Sequence, residues 1–146
     1  MDVIARLYDA FARRDGDEMA SLYAPDAHFR DPAFGDLTGV EAGEMWRMLT
    51  ARAEDLSLEL VSHDESSAHW IATYTFTQTG RKVVNDVHAT FVVRDGLIVD
   101  HVDAFSFWRW SRQALGPAGL VLGWTPLLRG KVRKQARAGL DQFMRR

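Results

Sequence analysis

The chain contains no cysteine, which excludes disulfides, thiolate metal sites and a thiol nucleophile. It also lacks a long hydrophobic run. Its most apolar stretch, residues 114–128, is interrupted by glycine, proline and threonine and is too short to span a bilayer. No basic segment leading into an apolar one follows Met1, so no secretory leader is expected and the default compartment is the cytoplasm. There is no GxGxxG, GxSxG or HExxH signature and no Walker-type phosphate loop. Gly116, Gly119 and Gly123 do not form such a loop, because no strand runs directly into a helix there. Nucleotide binding and serine-nucleophile hydrolysis are therefore not expected. Acidic residues nearly vanish after Asp103. Residues 104–146 hold one, Asp141, against nine basic side chains, whereas residues 1–103 hold 19 acidic and 9 basic. A basic tail can touch nucleic acid or anionic lipid. Docking on the chain's own acidic body, or on that of a partner subunit, is expected instead, because the tail carries much apolar surface. No nucleic-acid partner is expected.

What remains is a globular composition: 146 residues, 47% apolar and 26% charged, enough for one domain with a sizeable core. Ile4, Leu7, Tyr8 and Phe11 recur at helical spacing and predict a helix over residues 3–12. Asp15-Gly16-Asp17 breaks it, and a short helix with Met19, Leu22 and Tyr23 follows. Residues 27–31 read as a short strand. Thr38-Gly39-Val40-Glu41 has the pattern of a capping box and predicts a third helix, containing Trp46 and Leu49, to about Arg52. Four strands are expected next: Leu56 to Ser62, His69 to Thr77, Val83 to Val93 and Leu97 to Trp108. Turns at Thr79-Gly80 and Arg94-Asp95-Gly96 separate the last three. Residues 109–125 are less regular. Thr125-Pro126 marks the start of a final helix with the apolar stripe Leu128, Val132, Ala136, Leu140 and Phe143. Helices followed by a curled antiparallel sheet make the class α+β.

Among the polar groups, Asp31 stands out. Period two places it with Ala27 and Phe29 on the apolar face of its strand. A carboxylate there is costly unless it is paired, protonated or functional, and desolvation would raise its pKa toward that of a useful base. It could equally accept hydrogen bonds in the turn before Pro32, and from this segment alone the turn reading comes first. In the last strand Val99, His101, Asp103, Phe105 and Phe107 share one face, which gives a bulky apolar face two ionisable groups. A histidine–aspartate hydrogen bond at a sheet edge or subunit interface explains this pair equally well. His88 shares a face with Val84, Asp86, Thr90 and Val92, the wetter side of its strand. His88, His101 and Asp103 could form a two-histidine, one-carboxylate metal site. Their spacing is loose and no local ligand motif supports it, so no metal is expected. Arg112, Arg129, Lys131, Arg133, Lys134 and Arg137 lie near Leu120, Leu122, Trp124 and Leu127. That mixture suits a helix at a membrane surface, although a packed helix with a solvated basic face is the reading expected.

Four segments together resemble a known superfamily: Tyr8-x-Ala10-Phe11, then Met19-x-x-Leu22-Tyr-Ala-Pro-Asp-Ala-His-Phe-Arg-Asp31-Pro32, then Gly39-Val40, then Arg94-Asp-Gly-Leu-Ile98 before the last strand. The series is similar to the nuclear transport factor 2-like cone fold over roughly residues 3–108. Ketosteroid isomerase, SnoaL-like polyketide cyclases, limonene epoxide hydrolase and scytalone dehydratase belong to it. The resemblance implies a curved sheet wrapped around N-terminal helices, a pocket inside the cone, and pairing of two cones into a homodimer. It makes residues 1–108 the cone and residues 109–146 an extension with a basic C-terminal helix, capping the pocket or clasping a partner subunit. It places Asp31 where the isomerase has its base, Tyr8 on its oxyanion-hole tyrosine, and His88, turned inward, near the second oxyanion donor, there a protonated aspartic acid. His101 and Asp103 fall on apolar lining positions of the isomerase, but other branches carry catalytic aspartates on late strands, so Asp103 is the alternative base. Trp46, Ala72, Tyr74, Phe76 and Phe105 would form the apolar wall. The expected activity is cofactor-independent proton transfer (isomerase, cyclase or dehydratase) on a small, largely apolar carbonyl or cyclic compound. The alternative is a non-catalytic ligand-binding dimer of the same fold.

Overall fold

The computed structural model describes residues 2–146. Two short helices come first, α1 (Val3–Ala12) and α2 (Gly16–Ser21), each capped by an aspartate side chain, Asp2 and Asp15, that accepts a backbone N–H of the first turn. Strand β1 (Tyr23–Asp31) and the short β2 (Gly35–Thr38) form a hairpin. Thr38 then closes the expected capping box with Glu41 and starts α3 (Gly39–Arg52). Strands β3 (Ser57–His63), β4 (Ser67–Phe76), β5 (Arg81–Arg94) and β6 (Leu97–Ala104) follow. The chain ends in α4 (Phe107–Leu115), α5 (Pro117–Leu122) and α6 (Pro126–Met144).

The six strands form one sheet in the order β2-β1-β6-β5-β4-β3. Every pairing is antiparallel except β1 with β6, which run parallel. The inner face is packed by the first three helices. Leu7, Tyr8, Phe11, Met19, Met45 and Trp46 meet Phe29, Trp70, Val87, Phe91 and Ile98 in the main core. A second cluster of Val83, Phe107, Trp110, Ala114 and Val132 fastens α4 and α6 to the far end of the sheet. The α+β class, the curved sheet around N-terminal helices and the extra C-terminal helix are as expected from the sequence.

Four local expectations are corrected. Tyr23 is not in the second helix. Leu22 caps that helix, and Tyr23 opens β1, which therefore begins four residues earlier than the alternation around Phe29 suggested. Strand β2 was not anticipated, because its four residues include a glycine and an aspartate. The last strand stops at Ala104 rather than Trp108. Ser106 caps α4 by accepting the Arg109 N–H at 3.2 Å, and Phe107, Trp110, Ser111 and Ala114 are then buried at helical spacing. The dense aromatics of this segment satisfy either period, and the cap decides. Finally, a bulge between the β5 and β6 registers shifts the alternation, so Ile98, not Val99, is buried with His101 and Asp103.

Candidate active site

The sheet, α3 and the C-terminal helices enclose a cavity of about 250 Å³. Its walls include Trp46, Ala72, Tyr74, Phe76 and Phe105, the five residues expected there. Trp110 and Leu115 of α4, and Val132, Gln135, Ala136 and Gly139 of α6, complete it. The residues after 108 thus form part of the wall.

Two carboxyl groups face this apolar space, those of Asp31 and Asp103. Their meeting follows from register. The parallel β1–β6 pairing sets Phe29 against His101 and Arg30 against Val102. The next residue on each strand, Asp31 and Asp103, therefore lies beside the other on the inner face, with strand spacing of about 5 Å. The Asp31 Oδ1 accepts the N–H groups of Ala33 at 2.9 Å and Phe34 at 2.5 Å. Asp31 is thus tied into the turn at Pro32 and also lines the cavity. Burial pushes its carboxyl up from 3.8 to about 7. The Phe34 N–H opposes the rise, the charge of Asp103 adds to it, and the Ala33 N–H and Arg133 oppose it more weakly. Arg133 is held nearby by a bond from its Nε to the Pro32 carbonyl at 3.3 Å.

Asp103 belongs to a buried hydrogen-bonded chain. The indole N–H of Trp46 donates to the Tyr23 hydroxyl at 3.0 Å, Tyr23 meets His101 Nδ1 at 2.8 Å, and His101 Nε2 meets Asp103 Oδ1 at 2.7 Å. His101 and Asp103 are 1% and 4% exposed, and Phe29 and Phe91 pack on the imidazole. One proton arrangement satisfies every member. Tyr23 accepts from Trp46, so its single proton goes to His101 Nδ1, and the imidazole proton on Nε2 goes to Asp103 Oδ1. A proton on Nδ1 would leave the Tyr23 hydroxyl hydrogen without an acceptor in this chain. Burial, reinforced by the Asp103 charge, holds the Tyr23 pKa well above its ordinary value, so the phenol keeps that proton.

Tyr74 supplies a third polar group. Its hydroxyl accepts from the Trp110 indole N–H at 3.0 Å, which leaves its own hydrogen free to point into the cavity. Burial, opposed by the Trp110 bond and helped by the Asp31 charge, keeps it protonated.

Two residues assigned by resemblance are placed elsewhere. Tyr8 is fully buried but does not line the cavity; it stands behind Trp70, with ring centroids 5.7 Å apart. Neither its hydroxyl nor the Trp70 indole N–H has a hydrogen-bond partner among the described residues. His88 lies on the outer face of the sheet, as its strand alternation indicated and against the inward position that the resemblance implied. Its side chain is 67% exposed and stacks on His69 at 4.2 Å. With Asp86 these histidines bring three potential ligand atoms within 4.8 Å of one another, outside the cavity. The set of His88 with His101 and Asp103, weighed and set aside in the sequence, does not come together: His88 is on the outer face and the other two are buried on the inner one. Sequence reading missed Tyr23, hidden by its assignment to a helix, and the hydroxyl of Tyr74, whose free hydrogen depends on the bond from Trp110.

A family of SnoaL-like domains matches residues 4–101. No curated protein matches the chain. Among solved structures, a hypothetical protein with a ketosteroid isomerase-like fold from Catenulispora acidiphila, in complex with trimethylamine, superposes with a TM-score of 0.67 at 17% identity. The match covers 85% of this chain and 97% of that one. IdmH of Streptomyces antibioticus, a proposed polyketide cyclase, gives 0.58 at 23% identity over 76% and 94% of the two chains. A proposed polyketide cyclase from Xanthomonas campestris gives 0.58 at 22% over 76% and 93%. At these identities the structures establish the fold alone. With the family match spanning most of the cone, the chain belongs to the SnoaL-like domain family of the nuclear transport factor 2-like superfamily.

Proposed function

We propose that the protein is a cofactor-independent enzyme that moves a proton on a small apolar carbonyl or cyclic compound. The observation that carries this reading is the pair of carboxyl groups, Asp31 and Asp103, side by side in an otherwise apolar cavity. Two neighbouring carboxyl groups in an apolar cavity do not both ionise cheaply, and the charge of Asp103 helps to keep the proton on Asp31. Asp103, oriented by His101, is the base. Asp31, with a pKa of about 7, is the acid. In the reaction Asp103 takes the proton from the carbon beside a carbonyl, and the electrons of the C–H bond move into the enolate. The growing charge on oxygen is met by hydrogen bonds from protonated Asp31 and from the Tyr74 hydroxyl. Return of the proton from Asp103 to a different carbon gives isomerisation; loss of a leaving group or attack on a second carbonyl gives elimination or cyclisation. No step calls for a cofactor. The cavity is slightly below the usual range for ligand pockets, about 300–1,000 Å³, which restricts the substrate to a small one. Tyr8 lies too far back to touch it and serves as packing. A homodimer joined through the outer sheet face, where Val84 and Val92 are half exposed, is part of the same reading.

The test is solvent deuterium exchange into a panel of small cyclic ketones and enones, followed by NMR, with the native protein, Asp103→Asn and Asp31→Asn. Accelerated exchange that falls by orders of magnitude in both variants is expected. Ligand binding without exchange, unchanged in the variants, would assign the cavity to a non-catalytic binder instead.

A further inference from the structure

The segment linking α4 to α6 is turned inside out relative to an ordinary surface helix. Helix α5 rests on the body through its glycines. A Cβ on Gly119 would come 1.9 Å from the Ser111 carbonyl oxygen, and one on Gly123 2.1 Å from the Ser111 hydroxyl. Only glycine permits this contact, and the indole N–H of Trp108 adds a bond to the Leu120 carbonyl at 3.2 Å. The large apolar side chains are left outside. Leu120, Val121 and Leu122 are 45–63% exposed, Trp124 is 72% exposed and Leu127 82%. Single exposed apolar residues are ordinary, but five within eight positions at one tip form a patch that calls for a partner.

The surroundings of the patch are cationic. Arg81, Lys82 and Arg112 share a shallow groove with Pro117 and Leu120. Arg129 and Lys131 follow Leu127 on the first turns of α6. None of these five has a carboxylate within 4.0 Å among the described residues. The only acidic residue after Asp103, Asp141, lies near the other end of α6, bonded to Arg137 at 3.1 Å. We propose that the α5–α6 tip is a docking surface for an anionic lipid bilayer. The apolar side chains would enter the boundary between headgroups and acyl chains, and the cationic rim would meet lipid phosphates. A second copy of the chain fits less well, because a two-fold contact would bring the same cationic rim against itself. Docking here is peripheral, since no helix among the described residues is long and apolar enough to cross a membrane.

Flotation of the full chain with phosphatidylcholine vesicles, with and without phosphatidylglycerol, tests this. Binding to the phosphatidylglycerol vesicles is expected, at least about tenfold tighter than to phosphatidylcholine alone and weakened by salt. The double variant Trp124→Ser/Leu127→Ser should lose at least about tenfold in partitioning, and Arg129→Gln/Lys131→Gln should lose the preference for anionic lipid. Both pairs are exposed, and among the described residues only Arg129 makes a contact of note, over the Phe107 ring at 5.5 Å, so urea melts should stay within about 1 kcal/mol of the native protein and confirm folding. No flotation with either vesicle, or flotation indifferent to the tip variants, would overturn the proposal. So would a tip variant that shifts the monomer–dimer balance in ultracentrifugation while the native chain ignores vesicles.

Discussion

Replacing Asp31 with asparagine should stabilise the protein at high pH while removing its proposed acid. The native carboxyl titrates near 7 instead of 3.8. A group whose folded pKa is raised contributes stability that is fully present below its unfolded pKa, near 4, and lost as pH rises through 7. At about 1.4 kcal/mol per pKa unit, ionising Asp31 in the native state costs up to about 4 kcal/mol at pH 8 and above. Asparagine keeps the Oδ1 that accepts the Ala33 and Phe34 N–H groups, and it carries no charge to set against Asp103. Arg133 on α6 and the Tyr74 hydroxyl on β4 stay where they are. Urea denaturation, followed by tryptophan fluorescence between pH 4 and 8.5, should give similar stability for both proteins at the acid end. The variant should be ahead by up to about 4 kcal/mol at the alkaline end. Other carboxylates titrate in both proteins and cancel. A difference constant across pH, or an asparagine variant less stable at pH 8.5, would refute the assignment of a buried, charge-coupled carboxyl. Adding Asp103→Asn to both backgrounds should shrink the pH-dependent gap, because the neighbouring charge contributes to it.

Tyr23→Phe should remove the bond to His101 Nδ1 and orphan the Trp46 indole N–H, costing about 1–3 kcal/mol in urea melts and lowering exchange activity through a misoriented Asp103. Tyr8→Phe should behave oppositely: it deletes a buried hydroxyl that has no hydrogen-bond partner among the described residues, so stability should hold or rise by about 1 kcal/mol and activity should persist. An activity loss in Tyr8→Phe comparable to that of Asp31→Asn would restore the oxyanion role implied by resemblance. Gly119→Ala places a methyl group on the Ser111 backbone and should lower the melting temperature by several degrees through loss of the α4–α5 contact. Val84→Arg on the outer sheet face should shift the protein toward monomer in sedimentation velocity without altering its fold.

The cone was legible in the sequence because its signals are local. The Thr38–Glu41 capping box, the alternation from Ala68 to Phe76 and the Thr125-Pro126 start each depend on a few adjacent residues. So were the apolar walls, since Trp46, Ala72, Tyr74 and Phe76 face inward by simple periodicity. The site's chemistry was legible only in pieces. Asp31 and Asp103 were each visible as carboxylates on apolar faces, but their adjacency depends on a parallel register between β1 and β6 that no local pattern encodes. Tyr23 was lost because Met19, Leu22 and Tyr23 fit a helical stripe as well as a strand start. The α4 helix was lost because Phe105 and Phe107, and Trp108 and Trp110, alternate as in a strand while Phe107 and Trp110 fit a helix, until Ser106 is seen to cap it.

The parallel seam between β1 and β6 also governs when the proposed site can exist. Tyr23 and His101 are 78 positions apart in the chain, and no hairpin brings their strands together. Such a contact must bear the loop-closure entropy of everything between, and it is among the slowest kinds to form. Until it forms, Asp31 sits in water with the acidity of a free carboxyl. A partly folded molecule therefore lacks the arrangement on which the proposed activity rests, and the shifted titration of Asp31 becomes a readout of whether the last strand pairing has closed.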